Sequence, residues 1–328
     1  MPSSQTIERL QIIHMLGCDV RMSYAAMATV AGISEQTAAR RYQTLVRNGI
    51  LRCTATLDHR TLGQHEWILR ITPSSEGTKL AEMLAQHDDM SWVSMTAADV
   101  VCRYQPQSAA DTDLMLTDRI RSNSLVESMD ARQVLRRFPL HTTWPDLGWT
   151  LDATQRERLT EAADPLFAID RHGDTPNHDA ADLSDDDRRL IALLAEDPRA
   201  SYSHLARVTN LTPARVATRI IDLTEAGVLR FDLEVDQNRL GLRISAALWA
   251  GVALDKLDAA GHALARMSEI HYVCATTGPT ALFATIAARD TEHLYNLLTN
   301  ELARIDGLHS IDVRTDLRTL KRSRIHTS

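Results

Sequence analysis

Two short stretches place arginines and amide or hydroxyl side chains at helical spacing behind a Ser or a Thr. One holds Ser34, Gln36, Thr37, Arg40 and Arg41; the other holds Thr212, Arg215, Thr218 and Arg219. Ser and Thr are favoured helix N-caps, so each stretch reads as the first turns of a helix with hydrogen-bonding groups on one side. Arginine pairs bidentately with guanine or phosphate. The chemistry on offer is therefore recognition of nucleic-acid bases rather than bond-breaking. Gln36, Thr37 and Arg40 are the candidates for base edges in the first stretch, and Ala214, Arg215 and Thr218 in the second. Arg41, Arg47, Arg207 and Arg219 are candidates for phosphate contact or for bracing the domain. For Arg41 and Arg219, which sit beside apolar positions, an internal salt bridge is an equal alternative.

Residues for other chemistry are scattered. There is no HExxH, phosphate-cradling glycine loop, GxGxxG or nucleophile elbow. The 13 histidines form no ligand pattern. His262 and His271 lie nine apart and read as ordinary core or surface histidines, and His59 and His65 as a solvated pair around a turn. Met15, Met22, Met27, Met83, Met90 and Met95 fit core filling. The four cysteines (Cys18, Cys53, Cys102, Cys274) make no CxxC pair and read as reduced thiols of a cytoplasmic protein. No metal and no cofactor is expected.

Stepping out from these stretches, a segment repeat positions both. Ser23-Tyr24 recurs as Ser201-Tyr202, 178 positions later. At the same offset Ile33-Ser34 meets Leu211-Thr212, Arg41 meets Arg219, and Gly49-Ile50-Leu51-Arg52 meets Gly227-Val228-Leu229-Arg230. Further on the offset drifts to 182, where Ser128-Met129-Asp130 resembles Ser310-Ile311-Asp312. Repeats of this length indicate two copies of one structural unit. The expected domains are 1–63 and 181–243 (three helices each), 64–138 and 244–328 (alternating α and β), and a linker over 139–180. The linker holds a short helix at 151–163 with Asp152 as a possible cap. Trp144, Leu147 and Trp149 read as anchors for its start.

In the second copy Ser184 caps an acidic first turn, Asp197-Pro198 stops that helix, and Asn210 suits the tight turn before Thr212-Pro213. Gly227 ends the third helix. The first copy repeats the plan with helices at 6–16, 24–30 and 35–48, and with Gly32 at the turn. Three helices with a tight turn before a capped, Arg-bearing third helix read as a helix-turn-helix, whose third helix would enter a major groove. Three-helix units also serve as dimerisation scaffolds, and that reading stays open here.

After each helical unit the apolar period changes from about 3.6 to 2. In the second copy strands are expected at 245–252, 270–276, 281–287 and 308–314, with helices at 254–267 and 291–305. That order is βαββαβ. The first copy matches more thinly, with strands near 66–72, 91–97, 100–104 and 126–135. The fold class is α+β: a tandem repeat of a winged-type three-helix domain followed by a ferredoxin-like βαββαβ domain.

Bulk composition is that of a globular protein, 44% apolar and 24% charged over 328 residues. No apolar run is long enough to span a bilayer, and the first ten residues show no secretory pattern. Net charge is −7. Its distribution is uneven: residues 1–60 carry seven Arg against four acids, and residues 139–180 carry three Arg against eight acids. A local basic face is compatible with that balance.

The second copy resembles the Lrp/AsnC regulators. The residues that carry the likeness are Leu183-Ser184-Asp185-Asp186-Asp187, Asp197-Pro198-Arg199-Ala200, Leu205-Ala206, Ala226-Gly227-Val228-Leu229 and Asp236 through Leu240-Gly241. Thr276-Thr277-Gly278 and Leu317-Arg318-Thr319-Leu320-Lys321-Arg322 complete it. The chain as a whole is similar to the double-length members of that family.

The resemblance implies sequence-specific binding of double-stranded DNA, homo-oligomers built through the effector domains, and a small-molecule effector of the amino acid class. It also implies a ligand site at Thr277, Gly278, Pro279 and Thr280. The first copy has Thr96-Ala97-Ala98-Asp99 there, with no glycine. Paired recognition helices would read half-sites one helical turn apart, roughly 34 Å.

Two other readings come with the same shape. Siroheme decarboxylases share it and carry a His-Asn-Tyr-type strand; the nearest stretch here is Ile270-His271-Tyr272-Val273. An architectural DNA-binding protein is the other.

Overall fold

A computed structural model describes residues 4–58, 65–106, 112, 114–140, 150–169, 183–322 and 325–326. Trp144, Leu147, Trp149, His59 and Leu62-Gly63 lie outside the described residues. Two compact units form, Met1–Asp58 with Leu140–Gly241, and His59–Pro139 with Leu242–Ser328.

The first unit gathers the helical segments. Helices α1 (Ser4–Cys18), α2 (Tyr24–Ala31) and α3 (Glu35–Arg47) lead into strand β1 (Leu51–Leu57). After the linker helix α5 (Ala153–Ala162), helices α6 (Asp185–Glu196), α7 (Tyr202–Thr209) and α8 (Pro213–Glu225) lead into β6 (Leu229–Val235). (Helix α4 belongs to the second unit.) The local chemistry is the same in both. Ser34 and Thr212 accept the backbone N–H of Thr37 and Arg215. Gly32 and Asn210 take left-handed backbone at the turn, at φ 67° and 57°. Asparagine tolerates that conformation because its side chain bonds locally.

Strands at β1 and β6 were not specified from sequence. They pair antiparallel, from Leu51 opposite Val235 to Leu57 opposite Leu229, with Thr54 opposite Asp232 at the centre. Thr54 and Asp232 are 178 apart, so the repeat offset becomes a local two-fold axis. The same symmetry holds in the loops. Arg21 donates to the carbonyls of Pro198 and Ala200 at 2.5 and 2.7 Å. Arg199 donates to the carbonyls of Val20 and, at 2.6 Å, Met22. Each guanidinium also lies over a tyrosine of the other half, Arg21 over Tyr202 at 4.9 Å and Arg199 over Tyr24 at 5.3 Å.

The linker joins this unit by packing. Asp152 and Gln155 form a reciprocal capping box at the start of α5. Helix α5 lies on α2, and buried Phe167 meets Phe231 edge-on at 5.4 Å.

The second unit is a sheet. Its first half is β2 (Trp67–Pro73), α4 (Gly77–Ala85), β3 (Met90–Thr96), β4 (Val100–Tyr104) and β5 (Val126–Arg137), with a π turn at Leu114–Arg119. Its second half is β7 (Ile244–Val252), α9 (Leu257–Ala265), β8 (Ile270–Thr276), β9 (Leu282–Ala288), α10 (Thr291–Asn296) and β10 (Leu308–Arg322), with a short β11 (Ile325–His326). All pairings are antiparallel, in the order β11-β10-β3-β4-β2-β5-β8-β9-β7, and β10 also pairs with β7. Eight strands thus close into a ring, which leaves few open edges.

The last strand of each half is longer than the sequence implied, because it serves two partners. β5 pairs first with β2 and then, over Val134–Arg137, with β8. β10 pairs first with β7 and then, from Asp316, with β3. A bulge marks each handover, at Leu135 and at Leu317, and these leucines are 61% and 66% exposed. Ile68, Val101 and Val134 of the first half share one core with Trp249, Tyr272, Cys274 and Phe283 of the second. The expected helix over 291–305 is broken: after α10 come a π turn at Leu297–Glu301 and a 3₁₀ turn at Leu302–Arg304.

Candidate nucleic-acid interface and effector turns

Helices α3 and α8 owe their orientation to their apolar sides. Ala38 and Leu45 of α3, and Val216, Ile220 and Leu223 of α8, are buried. The opposite sides are open. Ser34, Gln36, Arg40, Gln43 and Arg47 are exposed on α3, with Thr37 half-buried; Thr212, Ala214, Arg215 and Thr218 are exposed on α8. The residues expected to meet bases therefore share one face of each helix, near its N-terminus.

Arg41 and Arg219 sit differently. Arg41 pairs with Glu8 at 3.0 Å. Arg219 grips Asp187 through Nε at 2.5 Å and Nη2 at 2.7 Å. Asp187 is buried, and it also accepts from the Ser184 hydroxyl and backbone N–H. The Arg219 guanidinium is the main cause that holds the Asp187 carboxyl down at about 2. Both arginines tie the third helix to the first, the bracing alternative named from sequence.

The turn Thr277-Gly278-Pro279-Thr280 lies against the first half of the sheet. Thr277 N donates to the Gln133 carbonyl and Thr277 Oγ1 accepts from Gln133 N, both at 3.0 Å. Arg132, itself buried, donates to the Thr280 carbonyl at 3.3 Å and to the Thr280 hydroxyl. Its other bonds go to Asp130 at 2.8 and 2.6 Å. Gly278 has φ +101°, and a Cβ there would stand 3.3 Å from Arg132 Nε. The turn thus has a guanidinium as its resident neighbour.

The matching turn in the first half, Thr96–Asp99, is met in the same way. Arg314 lies 3.7 Å from buried Asp99 and 2.9 Å from Asp312. Arg70 bridges Asp99 at 2.9 Å and Asp312 at 3.0 Å. Asp130-x-Arg132 and Asp312-x-Arg314 are 182 apart. Two residues beyond Asp130 and Asp312, along the same repeat, stand the arginines that close both turns.

Tyr272, on the strand compared with the decarboxylase motif, is buried and donates to Glu66 Oε1 at 2.9 Å. Arg103 and Arg137 stack on its ring at 5.1 and 5.0 Å. Among the described residues no group of three His, Cys, Asp or Glu could hold a metal ion, and no helix is long and apolar enough to cross a membrane.

Comparison with known proteins follows the same division. Residues 183–224 match the AsnC-type helix-turn-helix domain, and residues 246–325 the Lrp/AsnC ligand binding domain. The uncharacterized HTH-type transcriptional regulator PH0140 of Pyrococcus horikoshii is 28% identical over 138 residues, 42% of this chain and 87% of that protein. The HTH-type transcriptional regulator FL11 of the same organism is 28% identical over 134 residues, 40% of this chain and 89% of that protein. A crystal structure of the siroheme decarboxylase NirDL is similar in fold at TM-score 0.61 and 16% identity, covering 97% of this chain and 94% of that one.

Proposed function

We infer that this chain, whose second half carries the two domains of the Lrp/AsnC family, is a DNA-binding transcription regulator that holds two helix-turn-helix units and two effector domains in one polypeptide. The observation that carries this is the pair of capped third helices. Each keeps its polar N-terminal face open, while the arginine beside its apolar side is bound internally. A scaffold would have no need of two such open faces. The five domains expected from sequence, 1–63, 64–138, 139–180, 181–243 and 244–328, are part of this reading. So are a cytoplasmic location, a homo-oligomer formed through the effector domains, and an effector of the amino acid class at Thr277–Thr280. The effector's carboxylate would compete with Asp130 for Arg132.

A genomic DNA pull-down with the full chain, with and without a panel of amino acids, tests the reading. Enrichment of discrete promoter-proximal segments supports it. Uniform recovery of all DNA favours an architectural protein instead.

A catalytic reading has one observation in its favour, the likeness in fold to a siroheme decarboxylase along nearly the whole chain. Against it, Tyr272 is enclosed by Glu66, Arg103 and Arg137 of this same chain. Titration with an iron tetrapyrrole separates the two: a Soret band that moves on binding, with release of carbon dioxide, would favour the enzyme.

A further inference from the structure

The two helical halves agree where they support one another and disagree where they face outward. At the offset of 178 a set of supporting residues is the same: Arg21 and Arg199, Ser23 and Ser201, Tyr24 and Tyr202, Arg41 and Arg219, Leu45 and Leu223, Gly49 and Gly227, while buried positions such as Ala38 and Val216 stay apolar without being identical. These are the residues of the reciprocal carbonyl clamp, the caps, the internal ion pairs and the helix ends. Five outward positions of the third helices differ. Gln36 corresponds to Ala214, Thr37 to Arg215, Arg40 to Thr218, Gln43 to Ile221 and Arg47 to Glu225. The frame keeps a two-fold axis through Thr54 and Asp232 that the reading faces do not obey.

The differences are chemical. Gln36 and Arg40 offer an amide suited to adenine and a guanidinium suited to guanine. The other face offers Arg215 three positions earlier than any arginine of the first, flanked by Ala214 and Thr218, whose methyl groups suit thymine. Surroundings differ as well. Helix α5 covers the C-terminal side of α2, so Val30 is 0% exposed, whereas its counterpart Val208 on α7 is 47% exposed.

We propose that the duplex read by this chain is asymmetric, with two unlike half-sites in a fixed order, one for the Gln36/Thr37/Arg40 face and one for the Ala214/Arg215/Thr218 face. This rests on the DNA-binding reading above. Two identical chains around a two-fold axis are matched by a palindrome. One chain with two unlike faces on a symmetric frame is matched by a sequence lacking that symmetry.

The test is selection by the full chain from a random-sequence duplex library, followed by competition among three duplexes: the selected site and the two palindromes made by doubling each half. The selected site should be bipartite with dissimilar halves, and should outcompete either palindrome by about tenfold or more. The triple variant Gln36→Ala/Thr37→Arg/Arg40→Thr gives the first face the residues of the second. It should shift preference to one of the two palindromes. A selected site built only of identical half-sites, or a triple variant with the parent's preference, would overturn the proposal while leaving DNA recognition intact; a site repeated by a second copy of the chain would still pair two unlike half-sites within each arm. Absence of any enriched sequence at any salt concentration would remove the DNA-binding reading itself. The changed side chains lie on the outward face, so an unchanged urea midpoint is the control for folding. If the variant does not fold, the parent's selection and competition decide the matter alone.

Discussion

Arg21 and Arg199 clamp one another's loops: each guanidinium donates to the backbone carbonyls on both sides of the other arginine. Burial lowers the pKa of Arg21, yet its bonds and the ring of Tyr202 keep the charge compensated. Replacing either arginine by Ala strands two carbonyls that lose a charged donor, which should destabilise the protein by about 3 kcal/mol. Because the two clamps share the same loops, the double variant should lose less than the sum of the singles, by about 0.5 kcal/mol or more. Urea midpoints at constant slope measure this. Strict additivity would mean that the two clamps act independently.

The Arg219–Asp187 pair predicts an acid limb. A carboxylate depressed in the folded state stabilises above its unfolded pKa and loses that contribution as pH falls through the folded value. For Asp187 the window runs from 3.8 down to about 2. Arg219→Ala should lower stability at neutral pH and flatten the pH dependence across that window. Stability curves that stay parallel down to the bottom of the window would refute the assignment.

On the outward faces the prediction is the reverse. Arg40 and Arg215 are exposed, so Ala at either position should change stability by less than about 0.5 kcal/mol. Operator affinity should fall by about 1–3 kcal/mol for each. Arg219→Ala should instead act mainly through stability. Fluorescence anisotropy with a labelled operator across a salt series distinguishes the two patterns; an unchanged affinity and salt slope in both variants would exclude them as contacts.

At the Thr277–Thr280 turn, Gly278→Ala combines a left-handed backbone with a Cβ 3.3 Å from Arg132 Nε. The conformational part alone is worth about 1–2 kcal/mol. In an Arg132→Ala background the steric part disappears and the conformational part stays, so the substitution should be milder there. Thermal unfolding of the four proteins in that cycle is the measurement, and an equal effect in both backgrounds would show that the guanidinium does not press on the turn.

Gly261 on α9 has no room for a side chain, since a Cβ there would fall within the ring of Phe138 at the end of the first half. Gly261→Ala should destabilise by about 1–3 kcal/mol through overpacking, despite the better helix propensity of alanine. A variant more stable than the parent would mean that Phe138 moves aside freely.

Local signals made much of this legible. Ser34, Thr212 and Ser184 are caps by residue type, Asn210 and Gly227 are turn and end residues by conformation, and the period change marked each passage from helices to strands. What stayed hidden was non-local. Nothing within 126–137 or 308–322 announces that each strand changes partner halfway, because a period of two on either side of a bulge does not say which strand lies opposite. The pairing of β1 with β6 depends on chain 178 residues away. The turn at Thr277–Thr280 is marked by its glycine, but Arg132 beside it is not, because an arginine in a strand reads as a surface residue until the opposite half is brought to it. The partners of Arg41 and Arg219, Glu8 and Asp187, lie on the first helix of each half and are likewise non-local.

The exchange of β5 and β10 between sheet halves has a consequence for dosage. A non-covalent pair separates on dilution and can swap members with any sufficiently similar chain. Here each half needs the other's terminal strand to complete its ring, and the tether keeps that strand at high local concentration. Both helical halves arrive together on one chain, in a fixed one-to-one ratio.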